Sequence, residues 1–269
     1  MPKSFNQKLK ILYLMQAFME RTDREHPMSV PDLILYLDGY GISVERKTVY
    51  EDIETLRIFG MKIENRREKP SGYYLADRDF SFPELKILMD AVQSSRFITE
   101  RQSRELVRKL EHLTSISEAK RLQSQTSVLS GSKAVNREIY DSIQKICDAM
   151  ADNRQICFNY YEWDFSRELK PKRDGARYRV SPWKMIWNNE NYYLIGLDER
   201  NGIVKHYRVD KIMHVSIESQ KRNGEDIFRN FDFPKYVSGT FGMFGGKEQT
   251  VKMEFENHFV GVVLDRFGQ

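Results

Sequence analysis

The spacing of apolar residues divides the chain into a helical first half and a second half rich in strand-like runs. Residues 5–21 carry apolar side chains at mostly helical spacing, which predicts a first amphipathic helix. Ser29, followed by Pro31 and Asp32, supplies a capping hydroxyl, an early proline and a third-position acid, which predicts the start of a second helix. Ser43 is placed to cap a third helix. The buried stripe of that third helix is predicted to contain Val49, Ile53 and Leu56.

Two short strand-like runs, residues 61–65 and 72–75, follow the third helix and flank a basic loop over residues 66–71. Three helices followed by such a hairpin predict a winged helix-turn-helix. The run Arg46-Lys47-Thr48-Val49-Tyr50-x-Asp52-Ile53-x-x-Leu56 resembles the DeoR-type regulators. The resemblance implies a third helix that enters the major groove of DNA and a wing that touches the adjacent backbone.

Seven side chains are therefore candidate DNA contacts. Lys47, Thr48 and Tyr50 are assigned to the groove, and Arg46, Arg66, Arg67 and Lys69 to phosphates. The alternative is a structural or protein-interaction module, because residues 1–80 carry no net charge and phosphate contacts supply most nonspecific affinity.

A helical connector is predicted between the two halves. A helix begins after Ser81, and residues 105–113 continue in the same amphipathic style. These apolar stripes need a partner surface, which is expected on the adjacent domains or on a second subunit, and the alternative is ordinary packing within the chain. Residues 123–132 are polar and rich in serine, which predicts a hinge, and residues 136–151 predict a further helix.

Residues 156–161, 177–187, 191–197 and 204–217 are short, strand-like runs separated by turn signals. This pattern predicts a small barrel, because closure removes exposed strand edges. Two of the runs, residues 192–196 and 205–212, resemble the signature segments of the WYL family of bacterial regulatory domains. Tyr192 replaces the family's Trp, and Lys205 and Lys211 replace Arg. Tyr193, Leu194, Arg208, Asp210 and Ile212 match. The resemblance implies an SH3- or Sm-like barrel.

The net charge of +4 is concentrated in residues 151–222, where cations alternate with aromatic side chains. Bases stack on aromatic rings and phosphates need cations, so the pattern favours a nucleotide or a short nucleic-acid strand as effector. The predicted effector groove contains Arg179, Ser181, Tyr192, Tyr193, Lys205 and Arg208. Arg208 is the leading candidate, because its guanidinium can grip a phosphate with two nitrogens. The alternative is that Arg208 pairs with Asp210 and only fixes the hairpin.

The expected fold class is α+β. It comprises a winged helix-turn-helix over residues 1–80, a helical connector and hinge over 81–135, a WYL-type sensor domain over 136–222, and a linker with a partial βα extension over 223–269. In the extension, glycines between residues 239 and 246 predict a flexible joint, residues 251–255 a strand and residues 258–267 an apolar helix.

These patterns predict a ligand-responsive bacterial transcription regulator that acts as a homodimer on a double-stranded DNA operator. The alternatives are an RNA- or single-stranded-DNA-binding protein and a nucleic-acid-processing enzyme. No catalytic motif occurs, the five histidines are scattered, and Cys147 and Cys157 have no metal-ligand spacing, so neither an enzyme nor a cofactor is expected. The chain has no run of eighteen apolar residues and no N-terminal secretory pattern, which predicts a cytoplasmic protein without a membrane partner.

Overall fold

The computed structural model describes residues 9–125, 133–166, 168–238 and 250–268. Its first part is a group of three helices followed by a two-stranded antiparallel hairpin. Leu14 and Phe18 are fully buried and pack with the predicted stripe of the third helix. The elements are α1 (Lys10–Arg21), α2 (Val30–Asp38), α3 (Arg46–Phe59), β1 (Ile63–Arg66) and β2 (Gly72–Leu75).

The sequence predicted the start of α2 correctly and the start of α3 incorrectly. Ser29 forms the expected capping box, accepting from the backbone N–H of Asp32 while the Asp32 carboxylate accepts from that of Ser29. The prediction that Ser43 caps α3 is wrong, because the helix begins at Arg46 with Glu45 at the N-cap position. Ile42 is buried, and its N–H bonds to the Leu37 carbonyl, so the turn between the two helices extends past Ser43.

The connector folds into three helices, α4 (Phe82–Ser94), α5 (Glu100–Glu111) and α6 (Ile116–Gln125), of which the sequence predicted the first two. Ser81 and Thr99 close capping boxes at the first two helices. The apolar stripes of the connector pack on each other around Leu85, Met89 and Leu122, and Val92 and Leu106 also pack against the core of the following sheet, so packing within the chain accounts for their burial. The predicted hinge begins inside α6, and its residues 126–132 lie outside the described residues.

A single curved antiparallel sheet follows α7 (Ile139–Ala151). Its ladder runs β8, β3, β5, β6, β7, and β4 adds to the far end of β3. The strands are β3 (Arg154–Trp163), β4 (Leu169–Pro171), β5 (Tyr178–Asn188), β6 (Asn191–Asp198), β7 (Ile203–Arg208) and β8 (Ile212–Lys221).

The sheet is a half-barrel rather than the closed barrel that the sequence predicted. Within the part of the chain that the structure describes, β7 and β8 do not pair, although they follow each other in the sequence. The predicted single run over residues 204–217 is interrupted by a 3₁₀ turn, Val209–Lys211. This turn carries the chain from one edge of the sheet to the other, so the two edges are joined covalently and not by a hydrogen-bond ladder.

Both faces of the sheet are covered. The concave face holds a core of Phe158, Leu194 and Tyr207 under α7. The opposite face presents Ile195 and Leu197 to two short helices, α8 (Glu225–Phe228) and α9 (Phe233–Ser238). Among the described residues, no helix is both long enough and apolar enough to cross a membrane.

The chain ends in a 3₁₀ turn, Asn257–Phe259, and the helix α10 (Val260–Phe267), as the apolar pattern predicted. The predicted strand over residues 251–255 is wrong, because this stretch forms no ladder with any described strand. A strand needs a neighbour for its backbone groups, and no described strand lies beside this stretch. The predicted glycine joint over residues 239–246 lies outside the described residues.

Candidate nucleic-acid and anion-binding sites

The outward face of α3 carries four of the predicted DNA contacts. Lys47 is exposed and makes no hydrogen bond or ion pair with any described residue. Arg46 donates from Nε and Nη2 to the Tyr50 hydroxyl at 3.2 and 3.1 Å, so these two side chains act as one unit. The Thr48 hydroxyl donates to the Glu45 carbonyl at 2.8 Å and is thereby committed to the helix start.

The remaining three predicted DNA contacts lie on the hairpin beside α3. The ring of Tyr73 on β2 lies 6.3 Å from that of Tyr50, which fixes the hairpin against the helix. Arg66 Nη1 donates to the Arg24 carbonyl at 2.7 Å, so its guanidinium is tied to the loop after α1. Arg67 and Lys69 are exposed in the turn between the strands and have no polar partner among the described side chains. The structure therefore presents Lys47, Arg67 and Lys69 as uncommitted cations.

The six residues of the predicted effector groove do not meet at one place. Lys205 and Arg208 are three positions apart on β7, and side chains alternate along a strand, so they lie on opposite faces of the sheet. Tyr193 is the cross-strand partner of Arg208 and shares its face. Tyr192 lies on the other face, where its ring contacts Phe97 of the connector at 5.4 Å.

Ser181 and Arg179 belong to other surroundings. The Ser181 hydroxyl is buried, donates to the Glu199 carboxylate and accepts from the N–H of Asn223, which is a structural role. Arg179 is exposed and lines a depression that also contains Asp198. Burial opposes ionisation of Asp198, but hydrogen bonds outweigh it, the strongest from the Lys205 ammonium at 2.6 Å, and the pKa of this carboxyl lies below its ordinary value.

Arg208 is largely engaged by its own turn. Its Nε and Nη2 donate to the two carboxylate oxygens of Asp210 at 3.0 and 2.8 Å, and Nη2 also donates to Asn191 Oδ1 at 2.8 Å. Burial opposes its charge, but Asp210 outweighs it, so the pKa of the guanidinium is raised. The alternative that Arg208 pairs with Asp210 is therefore what the structure shows. Only Nη1 remains without an acceptor among the described residues, so a two-nitrogen grip on a phosphate requires Asp210 to move.

Beside this pair lies an open pocket of roughly 410 Å³. Arg208 and Lys211 reach it from the sheet, and Arg96 and Lys133 reach it from the connector side. The Trp163 side chain, 53% exposed, contributes an aromatic surface to its wall. Cations next to an aromatic ring suit a ligand that combines an anionic group with a flat ring.

The four cations of the pocket are not equivalent. Lys133 donates to the carbonyls of Gln93 and Ser95 at 2.5 and 2.9 Å and so caps the end of α4. The Lys211 ammonium makes no hydrogen bond or ion pair within the described part of the chain, and burial together with the charge of Arg208 lowers its pKa. Arg96 is exposed and likewise unpaired there.

Sequence reasoning selected Arg208 but missed Arg96 and Lys133. The signature segment drew attention to Lys211 only as a replacement for an arginine. Neither Arg96 nor Lys133 lies in a recognisable motif, and their position depends on how the connector folds against the sheet. The nearest local signal is Phe97, a large apolar residue directly after Arg96, whose ring is buried against the sheet.

Residues 141–217 match the WYL domain family model, which confirms the predicted resemblance over that segment. A comparison with curated protein sequences gives no match. Among solved structures, proteasome accessory factor B/C (PafBC) of Arthrobacter aurescens is similar at 17% sequence identity, with a TM-score of 0.28. The match covers 83% of this chain and 35% of that protein, so the chain spans about a third of its length.

Proposed function

We propose that this chain is a DNA-binding transcription regulator whose sheet domain senses an anionic effector. One observation carries the proposal. Uncommitted cations on α3 and on the adjacent hairpin turn precede, in the same chain, a segment that matches a family of regulatory domains. Lys47, Arg67 and Lys69 are the cations concerned.

In this proposal, residues 10–75 act as a winged helix-turn-helix. An α-helix fits the major groove of B-DNA, and Lys47 projects from the face of α3 opposite its buried stripe. Arg67 and Lys69 approach the adjacent phosphates, where they add affinity without reading sequence. Arg46, held by the Tyr50 hydroxyl, presents its remaining nitrogen to the backbone, and Arg66 braces the hairpin.

The regulator acts as a homodimer on an inverted repeat. A two-fold dimer presents its two α3 helices one or two turns of DNA apart, and the doubled contacts compensate for the absence of net charge over residues 1–80. The effector, a nucleotide or short oligonucleotide, occupies the pocket beside Arg208. Occupancy changes operator affinity only if the ligand prefers one dimer arrangement.

The test is selection of duplex sites with the full chain, followed by titration of the selected site at several salt concentrations. Arg67→Ala should weaken binding to every sequence and reduce the salt slope by about one unit. Lys47→Ala should also relax the sequence preference, by about 1–3 kcal/mol at the contacted base pair. Lys120→Ala is the matched control, since it removes an exposed cation from α6, away from α3 and the hairpin.

Failure of the wild-type chain to select any duplex would overturn the DNA-binding assignment. Unchanged site preference in Lys47→Ala would overturn the placement of α3 in the groove. A second candidate function, binding of RNA or single-stranded DNA, is favoured by the exposed rings of Trp163, Phe165 and Trp187 on the sheet domain. Tighter binding of single strands than of any selected duplex would support this second function instead.

A further inference from the structure

The pocket beside Arg208 has walls from two separate parts of the fold. Arg96 lies in the turn between α4 and α5, and Lys211 ends the 3₁₀ turn between β7 and β8. The two residues are far apart in sequence but face the same space. The pocket therefore lies at the junction of the connector and the sheet.

Residues 133–136, next to this pocket, are hydrogen-bonded both to the connector and to the sheet. Lys133 holds the carboxyl end of α4, while the side-chain amide of Asn136 donates to the carbonyls of Asp210 and Ile212 at 3.1 and 2.9 Å. Asn136 is 3% exposed, so these bonds are shielded from water. A ligand that enters the pocket would add to an existing junction and would not have to create one.

The cations available to such a ligand are Arg96 and Lys211. Arg208 has most of its donors on Asp210 and Asn191, and Lys133 has its donors on backbone carbonyls and Ser103. Arg96 and Lys211 have no hydrogen-bonding or ion-pair partner among the described residues. The Lys211 ammonium is half-buried, forms no ion pair with a described residue and lies near the charge of Arg208, so a bound anion stabilises its charged form.

We propose that Arg96 and Lys211 together bind the phosphate of the effector, so that the bound ligand links the connector to the sheet. The inference rests on the proposed sensor function and assigns that site its phosphate ligands and its route of regulation. The pocket volume of roughly 410 Å³ lies within the range that small-molecule sites occupy. Trp163 supplies the surface on which the base stacks.

Binding in this mode restrains the turn that joins α4 to α5. Phe97, the residue after Arg96, is packed edge-on against the rings of Trp187 and Tyr192 at 5.8 and 5.4 Å. A phosphate bound by Arg96 restrains the same turn and thereby stabilises the packing of Phe97. The connector also contacts the loop after α1, where the Ser115 hydroxyl donates to the Asp23 carboxylate at 2.6 Å, so its restraint provides a route from the pocket to the first three helices.

The experiment uses the full chain and three probes: inorganic phosphate, a mononucleoside 5′-monophosphate and a 5′-phosphorylated trinucleotide. Binding is measured by calorimetric titration, and hydrogen exchange of residues 95–99 is followed with and without the probe. Arg96→Gln and Lys211→Gln should each weaken the bound probe by about tenfold or more, because each removes one charge-assisted phosphate contact. Arg108→Gln is the matched control, an exposed arginine on α5 outside the pocket.

In the wild type, the best-bound probe should slow hydrogen exchange in residues 95–99, and Arg96→Gln should abolish that slowing. A dephosphorylated trinucleotide should bind no better to the wild type than to Arg96→Gln. Wild-type binding that both substitutions leave unchanged would overturn this inference while leaving the sensor function in place. No binding of any probe by the wild type would overturn the inference and the sensor function together, whereas the duplex-binding test would be unaffected.

Discussion

At the scale of single residues, Arg208 has a structural role that its contacts show and a binding role that we propose. Its Nε and Nη2 donate to Asp210 and Asn191, whereas Nη1 has no hydrogen-bond acceptor among the described residues. The guanidinium is 35% exposed and the Asp210 carboxylate 14% exposed, so the pair is partly shielded from solvent. The two roles predict different effects on ligand binding when Arg208 or Asp210 is replaced.

Arg208→Ala leaves the Asp210 carboxylate without its ion-pair partner, and Asp210→Asn leaves the guanidinium with its hydrogen bond to Asn191 but without a carboxylate. If Arg208 only fixes the turn, both changes should cost a similar amount of stability, about 1–2 kcal/mol, and neither should alter oligonucleotide binding. We expect instead that Arg208→Ala weakens binding of a 5′-phosphorylated trinucleotide, because it removes the free Nη1 donor, while Asp210→Asn preserves or strengthens that binding. Chemical denaturation and calorimetric titration of both variants distinguish these cases. Equal binding by the two variants would contradict the binding role.

Lys211 predicts a pH dependence of anion binding. Its pKa is lowered, chiefly by burial and then by the neighbouring Arg208, and the other charges that act on it are Asp210, Glu162 and Lys172. The ammonium is fully present below this lowered pKa and is lost as the pH rises through it. Anion affinity should therefore fall at a lower pH than the ordinary lysine value of about 10.4. Binding should also take up protons, because the anion restores the charged form.

Lys211→Arg is the matched control for this dependence, because arginine keeps its charge throughout the alkaline range. Titrations with the mononucleotide between neutral and alkaline pH should show a fall in affinity for the wild type and a smaller fall for the variant, in which only Lys133, whose pKa is also lowered by burial, still loses its charge. Identical profiles in both proteins would exclude Lys211 as the titrating group.

The limits of sequence reasoning at this scale have a plain physical cause. The motif singled out Arg208 and Asp210 because both lie in one short segment, and their pairing is a local interaction. The contribution of Arg96 depends on the fold, which places residues more than a hundred positions apart in sequence, such as Arg96 and Lys211, in the lining of one pocket. No periodicity or spacing in a single sequence encodes such an arrangement.

At the scale of elements, capping signals predicted the start of α2, and the pattern of strand-forming residues and turn signals predicted the hairpin and the central strands with nearly correct ends. This pattern failed where the chain changes direction without glycine or proline. The run over residues 204–217 contains no such residue, so the turn Val209–Lys211 was not predicted. Val209 is buried in the core although the chain turns there, which keeps the apolar pattern unbroken.

Gly196 lies on β6 at a position where the neighbouring strand leaves no room for a side chain. A Cβ there would lie 2.6 Å from the Ser181 carbonyl oxygen and 2.6 Å from a methyl group of Val180. The register shift between Pro182 and Lys184 occurs opposite this position and accompanies the close approach of the strand backbones.

We expect Gly196→Ala to destabilise the protein by about 1–3 kcal/mol, because overpacking against backbone cannot be relieved by a rotamer change. In a thermal melt this corresponds to a fall in Tm of about 2–10 °C. Gly261→Ala is the control, since a Cβ there meets nothing within 4 Å. A Tm for Gly196→Ala equal to that of the control would show that the two strands can separate without loss.

At the scale of the whole molecule, burial is uneven along the chain. The first helices, the connector and the sheet each have a cluster of buried apolar side chains, with Phe18, Met89 and Phe158 as fully buried members. The described C-terminal stretch, residues 250–268, contains no buried residue. Its helix α10 is amphipathic and has no buried residue, although the ring of Phe267 lies 6.4 Å from that of Phe255 in the same stretch.

The exposed side chains of α10 predict that this helix is ordered by association. Val260, Val262 and Phe267 are 60%, 64% and 56% exposed, and burial of one such side chain contributes about 1.5–3 kcal/mol. We expect α10 to exchange its backbone hydrogens rapidly in a monomeric sample and slowly in a dimer, because a second subunit supplies the missing surface. Val262→Asp should then weaken the dimer by about tenfold or more in sedimentation equilibrium. Lys252→Asp introduces the same group outside the helix and should leave the dimer unchanged. Strong protection of α10 in a demonstrably monomeric sample would contradict this prediction, because the helix would then be covered from within its own chain.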